Sequence, residues 1–505
     1  MSSESSRRSS KGSSLYLFGG ALLSLVTLIL CVSSYSYSAP LSELAAQDHV
    51  LLSRGQEPHE LSKRTVTASY AQTRMLGNIG GALGGSANQV PGAQTGAVIA
   101  SPSTASPDYY FSWIRDAALT MKVAINFSNL NRTLVENWAA AEKVHQKNAG
   151  SSSYTQGEPK FNPDGSLFTG PWGRPQNDGP ALRASAFMAY ANRIGLSDPF
   201  VTNTLYKSDL NAGSLIKTDL EYVAHHWQDS SFDLWEEVQG THFFTLMAQW
   251  RSMVDGAAFA TKMNDPGASS YYSQQATAIA NKLQSFWDSG AGRVQAYQGV
   301  GGRSGIDCSV LLGSLRGWNS KDIASGVDNT KFGPASDKIL ATHKQYVDAF
   351  RNLYAINKNA AAPSAVGTGR YPEDVYNGVG TSQGNPWFLC TNAASELLYT
   401  SLDIYQSQGK LDVTTISQPF FRQFSSSIST GSYPSSSTQY VSLTKGMKAM
   451  ADGFVDIVNT HAWPNGSIAE EFDRNTGYNT GARDLTWSYA AFLTSNYAAA
   501  GNPIV

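Results

Sequence analysis

From about residue 65 onward, apolar residues recur at spacings of three and four, the repeat of a helix that buries one face. The pattern runs through 115–125, 134–145, 181–194, 215–227, 242–260, 271–287, 335–355, 393–405, 440–458 and 484–498. Weaker stretches near 70–80, 306–315 and 415–424 bring the expectation to about a dozen helices. Few segments alternate apolar and polar residues as a half-buried strand does. An all-α domain is therefore expected over 65–505. Its helices are joined by long connections rich in Gly, Pro, Ser, Asn and Trp, and connections of that length in a compact domain tend to carry function. The Ser/Thr/Gly/Pro/Tyr run from Ser425 to Gln439 reads as a surface loop.

The first 64 residues do not share this pattern. Arg7, Arg8 and Lys11 precede an apolar run from Leu15 to Val32, and the small residues Ser36, Ser38 and Ala39 follow. A basic start, an apolar core and a small-residue exit predict a secretory signal over 1–39. The run is also long enough to serve as a retained signal anchor, the only route to a membrane that the sequence offers. Residues 40–64 are polar and end in Lys63-Arg64, so a propeptide cut at this dibasic pair, leaving Thr65 first, is expected. Asn126, Asn131 and Asn465 each head an Asn-x-Ser/Thr sequon, which agrees with secretion.

Composition narrows the partner. Charged residues make up 15% of the chain and the net charge is −2, so no surface for nucleic acid is expected. Eleven Trp and 24 Tyr suit a protein that stacks rings on sugars, although a large aromatic core accounts for them equally well. Of three cysteines, Cys31 falls in the apolar leader, and Cys308 and Cys390 are left either to pair or to remain buried thiols. No His or Cys spacing suggests a metal site, and no cofactor is implied. His225 and His226 are adjacent and point to different faces of any regular element.

The candidate chemistry begins at Asp233-Leu-Trp-Glu-Glu-Val238. Burial beside the Trp235 indole and a second carboxylate both favour the protonated form of a Glu, as a general acid requires. A second acidic pair, Glu470-Glu471, lies in Gly466-Ser-Ile-Ala-Glu-Glu-Phe-Asp473. Arg115 and Asp116, beside Tyr109 and Trp113 in Asp108-Tyr-Tyr-Phe-Ser-Trp-Ile-Arg-Asp116, suit charge-assisted bonds to sugar hydroxyls. Trp172 is held on a Gly- and Pro-bordered turn, Gly170-Pro-Trp-Gly-Arg-Pro, with Arg174, Gln176 and Asp178 expected to brace it. Arg370 in Arg-Tyr-Pro-Glu-Asp374 is a candidate sugar ligand, and Trp387 in Gly-Asn-Pro-Trp-Phe-Leu-Cys390 is either pocket wall or core. Asp484 reads as the cap of the last helix, with Trp487 and Tyr489 on its apolar side.

Taken in order, these stretches resemble the fungal glucoamylases of glycoside hydrolase family fifteen, over essentially all of 65–505. The resemblance implies an (α/α)6 barrel with a pocket at its loop end, and a monomer acting on starch, dextrins and malto-oligosaccharides. It implies removal of glucose units from non-reducing ends with inversion to β-glucose. By the same match Glu236 is the general acid and Glu470 the general base. Arg115 and Asp116 would grip the terminal glucose and Glu237 the penultimate one. Tyr109, Trp113, Trp172, Trp235, Arg370 and Trp387 would line the pocket. Several fungal relatives carry Ser-Glu-Gln-Tyr where this chain has Ala469-Glu470-Glu471-Phe472, and no appended starch-binding domain is expected. An inverting pair needs its carboxyls about 6.5–9.5 Å apart, to leave room for the attacking water. The rival expectations are hydrolysis of another α-glucosidic link, such as trehalose or dextran, and a non-catalytic sugar-binding protein on the same fold.

Overall fold

Two kinds of helix alternate along the chain, and their sequences differ in how many faces are apolar. The computed structural model describes residues 66–504. The expected signal, the propeptide, Cys31 and the Lys63-Arg64 cut lie outside the described residues. The chain runs in six successive pairs: α1 (Ala68–Gly77) with α2 (Ile114–Ile125), α3 (Arg132–Ala149) with α4 (Gly179–Ile194), and α5 (Leu215–His226) with α6 (Phe243–Lys262). Then come α7 (Pro266–Leu283) with α8 (Cys308–Gly317), and α9 (Asp337–Arg351) with α10 (Phe388–Gln408). A single turn, α11 (Gln418–Phe421), precedes the last pair, α12 (Thr438–His461) with α13 (Thr486–Ala499).

The second member of each pair is apolar or small nearly all round. Helix α2 buries every residue except Lys122. Helix α13, Thr-Trp-Ser-Tyr-Ala-Ala-Phe-Leu-Thr-Ser and onward, buries Thr486 to Ser495 without a break. A helix without a polar face must be enclosed on all sides. The first members instead carry one stripe: α7 buries Ala268, Tyr272, Ala276, Ile279 and Leu283, at steps of three and four. So α2, α4, α6, α8, α10 and α13 form an inner ring. Each packs on the next, and α13 closes back onto α2. The first members of the six pairs, α1, α3, α5, α7, α9 and α12, form an outer ring, and the whole is an (α/α)6 barrel.

Local sequence sets the helix starts. Asn131, Asp265 and Ser437 each accept a bond from a backbone N–H of the first turn that follows, and Pro266 begins α7. This is why α7 starts near 266 and ends at Leu283 rather than spanning 271–287: after it come a 3-10 turn, Gln284–Phe286, and a short strand at Trp287. The stretch at 415–424 forms only one turn. The expected loop at Ser425–Gln439 is partly a strand, since Gly431–Pro434 pairs antiparallel with Lys410–Val413. Backbone bonds make that pairing, and side-chain composition gave no sign of it.

Asp484 does not cap α13, whose N-cap residue is Leu485. Its carboxylate takes both Nε and Nη2 of Arg74, at 3.2 and 2.5 Å, and the Tyr489 hydroxyl at 2.5 Å. The pair ties the first outer helix to the last inner one. Cys308 and Cys390 lie in the first turns of α8 and α10 as buried free thiols. Among the described residues, no helix is long and apolar enough to cross a membrane.

Candidate active site

The loops that lead into the inner helices meet over one end of the barrel. There they enclose a cavity of about 340 Å³. Its lining includes all eleven residues that the family resemblance assigns to the site: Tyr109, Trp113, Arg115, Asp116, Trp172, Trp235, Glu236, Glu237, Arg370, Trp387 and Glu470. Ala100, Gly173, Leu234, Tyr376, Leu485 and Trp487 complete it.

Glu236 sits on a turn built by Asp233. One carboxylate oxygen of Asp233 accepts the N–H groups of Glu237 (2.8 Å) and Val238 (3.0 Å), and its carbonyl accepts the N–H of Glu236 (2.9 Å). The turn holds Glu236 at φ +69°, a left-handed conformation that costs a non-glycine residue energy and is concentrated at functional sites. Donors converge on one oxygen only. Trp113 Nε1 reaches Oε1 at 2.6 Å, Gln176 Nε2 at 3.0 Å and Arg115 Nη2 at 3.5 Å. No donor among the described residues is bonded to Oε2. Gln176 and Asp178 also hold Arg115 Nη1, at 2.8 and 3.1 Å. Asp178 therefore serves Arg115 rather than Trp172, while Gln176 serves both, since its Nε2 also donates to the Gly173 carbonyl of the Trp172 loop at 3.0 Å. Arg174 does brace the Trp172 loop, through the carbonyls of Phe168 (2.5 Å) and Gly170 (3.0 Å) and the carboxylate of Glu158.

Glu470 approaches from the other side and is 1% exposed. Its backbone is pinned on both flanks, N–H to the Ala482 carbonyl (2.9 Å) and C=O from the Phe388 N–H (3.2 Å). Its Oε2 accepts the Tyr376 hydroxyl (3.2 Å) and the Ala482 N–H (3.3 Å), and Tyr376 meets the Tyr109 hydroxyl at 3.0 Å. Burial pushes its carboxyl up to about 7, against the opposing pull of these donors and of Arg370. Gly481 makes the close approach possible: a Cβ there would stand 2.5 Å from Oε2. Glu471, next in the chain, points elsewhere. It is fully buried, accepts Asn385 Nδ2 at 2.8 Å, and leaves Oε1 without a hydrogen bond.

Between the two carboxyls the walls are cationic and aromatic. Arg370 grips Asp374 through Nε and Nη2 (2.8 and 2.7 Å) and extends Nη2 to Glu237 at 2.7 Å. Its guanidinium lies 5.5 Å from the Trp235 ring and 5.1 Å from that of Trp387. Although burial opposes ionisation of Glu237, Arg370, Tyr371 and Arg303 outweigh it and hold that carboxyl below its ordinary range. Asp116 is pushed up to about 6 by burial despite Arg115 beside it. Trp235 donates its indole N–H to Asp307 at 3.0 Å, and Asp307 also begins α8 by accepting the N–H of Ser309 at 2.7 Å.

Sequence reasoning missed Tyr376, Gln176 as a partner of Glu236, Asp307, and the place of Trp487 in the pocket. Tyr376 lies just beyond the Arg370–Asp374 motif, the one local signal available.

An inner ring of helices with a pocket of paired carboxyls, arginines and indoles defines an O-glycosyl hydrolase of the (α/α)6 class. The profile of the glycosyl hydrolases family 15 matches residues 76–497, and the chain belongs to that family. It is 44% identical to Glucoamylase 1 of Rhizopus oryzae, over 82% of this chain and 68% of that protein. It is 41% identical to Glucoamylase-1 of Schizophyllum commune, over 89% and 76%. Its fold matches the solved family 15 glucoamylase from Hypocrea jecorina with a TM-score of 0.79, at 37% identity over 86% of this chain and 71% of that one.

Proposed function

We propose that this enzyme removes single glucose units from the non-reducing ends of starch, dextrins and malto-oligosaccharides, inverting the anomeric carbon to give β-D-glucose. One observation carries the reading: Glu236 and Glu470 reach the same cavity from separate loops, each with one oxygen already bonded by the protein. Occupation of Glu236 Oε1 leaves Oε2 to carry the transferable proton, so Glu236 is the general acid at the glycosidic oxygen. Glu470 takes a proton from water as that water attacks C1 from the opposite face. Its high proton affinity makes it a strong base once ionised, and neighbouring donors stabilise the ionised form.

Arg115 and Asp116 bind hydroxyls of the terminal glucose. Glu237 and Arg370 bind those of the next unit. Tyr109, Trp113, Trp172, Trp235 and Trp387 supply ring faces. The cavity lies at the small end of ligand pockets, which suits attack on a chain end. The protein is further read as a secreted monomer that starts at Thr65 and carries glycans at Asn126, Asn131 and Asn465, three asparagines on the exposed surface.

The test is the anomer released from maltoheptaose, followed by NMR at early times. β-Glucose as the only first product, with no internal fragments, is expected. α-Glucose would mean retention and a different role for Glu470. Sugar binding without release would leave a binding protein.

A further inference from the structure

Behind the wall made by Trp113 and Trp172 lies a charged group that the mechanism does not use. Lys160 belongs to a two-residue strand, Lys160–Phe161, paired with Ser112–Trp113. It is 2% exposed. Its Nζ stands 3.5 Å from the ring centroid of Trp172, 4.0 Å from Phe111, 4.0 Å from Phe168 and 4.5 Å from Trp113. The amine makes no hydrogen bond or ion pair among the described residues. Burial pushes it down to about 8; Glu236 and Asp108 pull it up and Arg174 pushes it down.

An ammonium group with little access to water and no bonded oxygen is costly. A Met or Leu would fill the same box without that cost. What the charge adds is attraction to the faces of the rings around it, which is strongest for indole and grows as water is excluded. Two of the four rings are pocket walls. One of them, Trp113, carries the N–H that lies 2.6 Å from Glu236 Oε1. The Trp172 indole N–H is buried without a partner, so no bond of its own fixes that ring. Arg174 holds the backbone of its loop, and the ring is held by packing against Phe168 (5.7 Å) and Trp113 (5.9 Å) and by Lys160.

We propose that Lys160 is a positioning residue of the active site, whose ammonium clamps the indoles of Trp172 and Trp113 into one wall and, through Trp113, orients the Glu236 carboxyl for proton donation. The proposal rests on reading Glu236 as the general acid.

Lys160→Met keeps length and apolar volume and removes the charge, whereas Lys160→Arg keeps the charge. Both are assayed on maltose and on α-glucosyl fluoride, whose leaving group needs no proton. Lys160→Met is expected to lower kcat on maltose about thirtyfold, the size of one desolvated cation–π contact, with KM within about twofold and a smaller loss on the fluoride. Lys160→Arg should recover part of that loss. In the unaltered protein, indole fluorescence should change as the amine titrates near pH 8, and Lys160→Met should lack that step.

A folded Lys160→Met enzyme with unchanged kcat, or one altered equally on both substrates, overturns the proposal. If Lys160→Met does not fold, a flat fluorescence titration of the unaltered protein between about pH 6 and 10 overturns it. Activity retained by Glu236→Gln on maltose would instead sink the general-acid reading. An inactive Glu236→Gln beside an unaffected Lys160→Met would sink this proposal alone.

Discussion

The two glutamates of the pocket are held in opposite ways. Glu236 stands on an open wall, its side chain 17% exposed, with its backbone in a left-handed turn and three N–H donors on one oxygen. Glu470 is enclosed, on backbone pinned at both flanks just before a short strand, with one hydroxyl and one peptide N–H on its Oε2. The first arrangement fixes direction, because three donors leave a single oxygen facing the cavity. The second fixes proton affinity, because desolvation raises it while the tyrosine keeps the ionised form accessible. On the proposed mechanism, two identical side chains are suited to different tasks by their surroundings alone.

The harshest test of that division removes each carboxyl in turn. Glu236→Gln and Glu470→Gln should each lower kcat on maltose by about 10²–10⁴. On α-glucosyl fluoride they should part: Glu236→Gln keeps much of its activity because the fluoride leaves without a proton, while Glu470→Gln stays impaired because water still needs a base. Equal losses on the fluoride, or the reverse order, would break the comparison.

A smaller effect is expected at Tyr376. Its hydroxyl bonds the ionised Glu470, and hydrogen bonds to charged groups are worth about 1.5–3 kcal/mol. Tyr376→Phe should therefore cost about 10–100-fold in kcat/KM. The sign of the pH effect follows from the same bond. Burial already sets Glu470 above the ordinary glutamate range, and loss of the hydroxyl raises it further. The acid limb of kcat/KM should move to higher pH, and a limb that stays in place would show that another group titrates there.

These contrasts also mark what the sequence could disclose. Barrel helices were legible because an enclosed helix such as α13 is apolar on every side and an outer one such as α7 is striped. The eleven pocket residues were legible because their motifs match a family, and nine of them lie within eight positions of an inner helix start. The supporting contacts were not. Trp235 meets Asp307 across 72 positions, Tyr376 meets Glu470 across 94, and Gln176 meets Glu236 across 60. No local pattern encodes such pairs. Lys160 was least visible, since a lysine in a polar stretch reads as surface and its box is assembled from two other segments, 111–113 and 168–172.

The mildest prediction sharpens the buried side of the comparison. Glu471 shares the enclosure of Glu470 but faces away from the cavity lining. Burial first, and the charge of Glu470 second, raise its carboxyl well above the ordinary range. A group whose proton affinity is higher folded than unfolded favours folding when protonated and opposes it as pH rises through its folded value. Glu471→Gln keeps an oxygen able to accept the Asn385 amide and removes the ionisation. Its melting temperature should match that of the unaltered protein near pH 4 and exceed it increasingly toward pH 8, with kcat within about twofold at the pH optimum. A uniform loss of stability at every pH would mean that Glu471 acts only through its bond to Asn385. The enclosure would then raise proton affinity at Glu470 alone, as a property of that site rather than of the whole buried side.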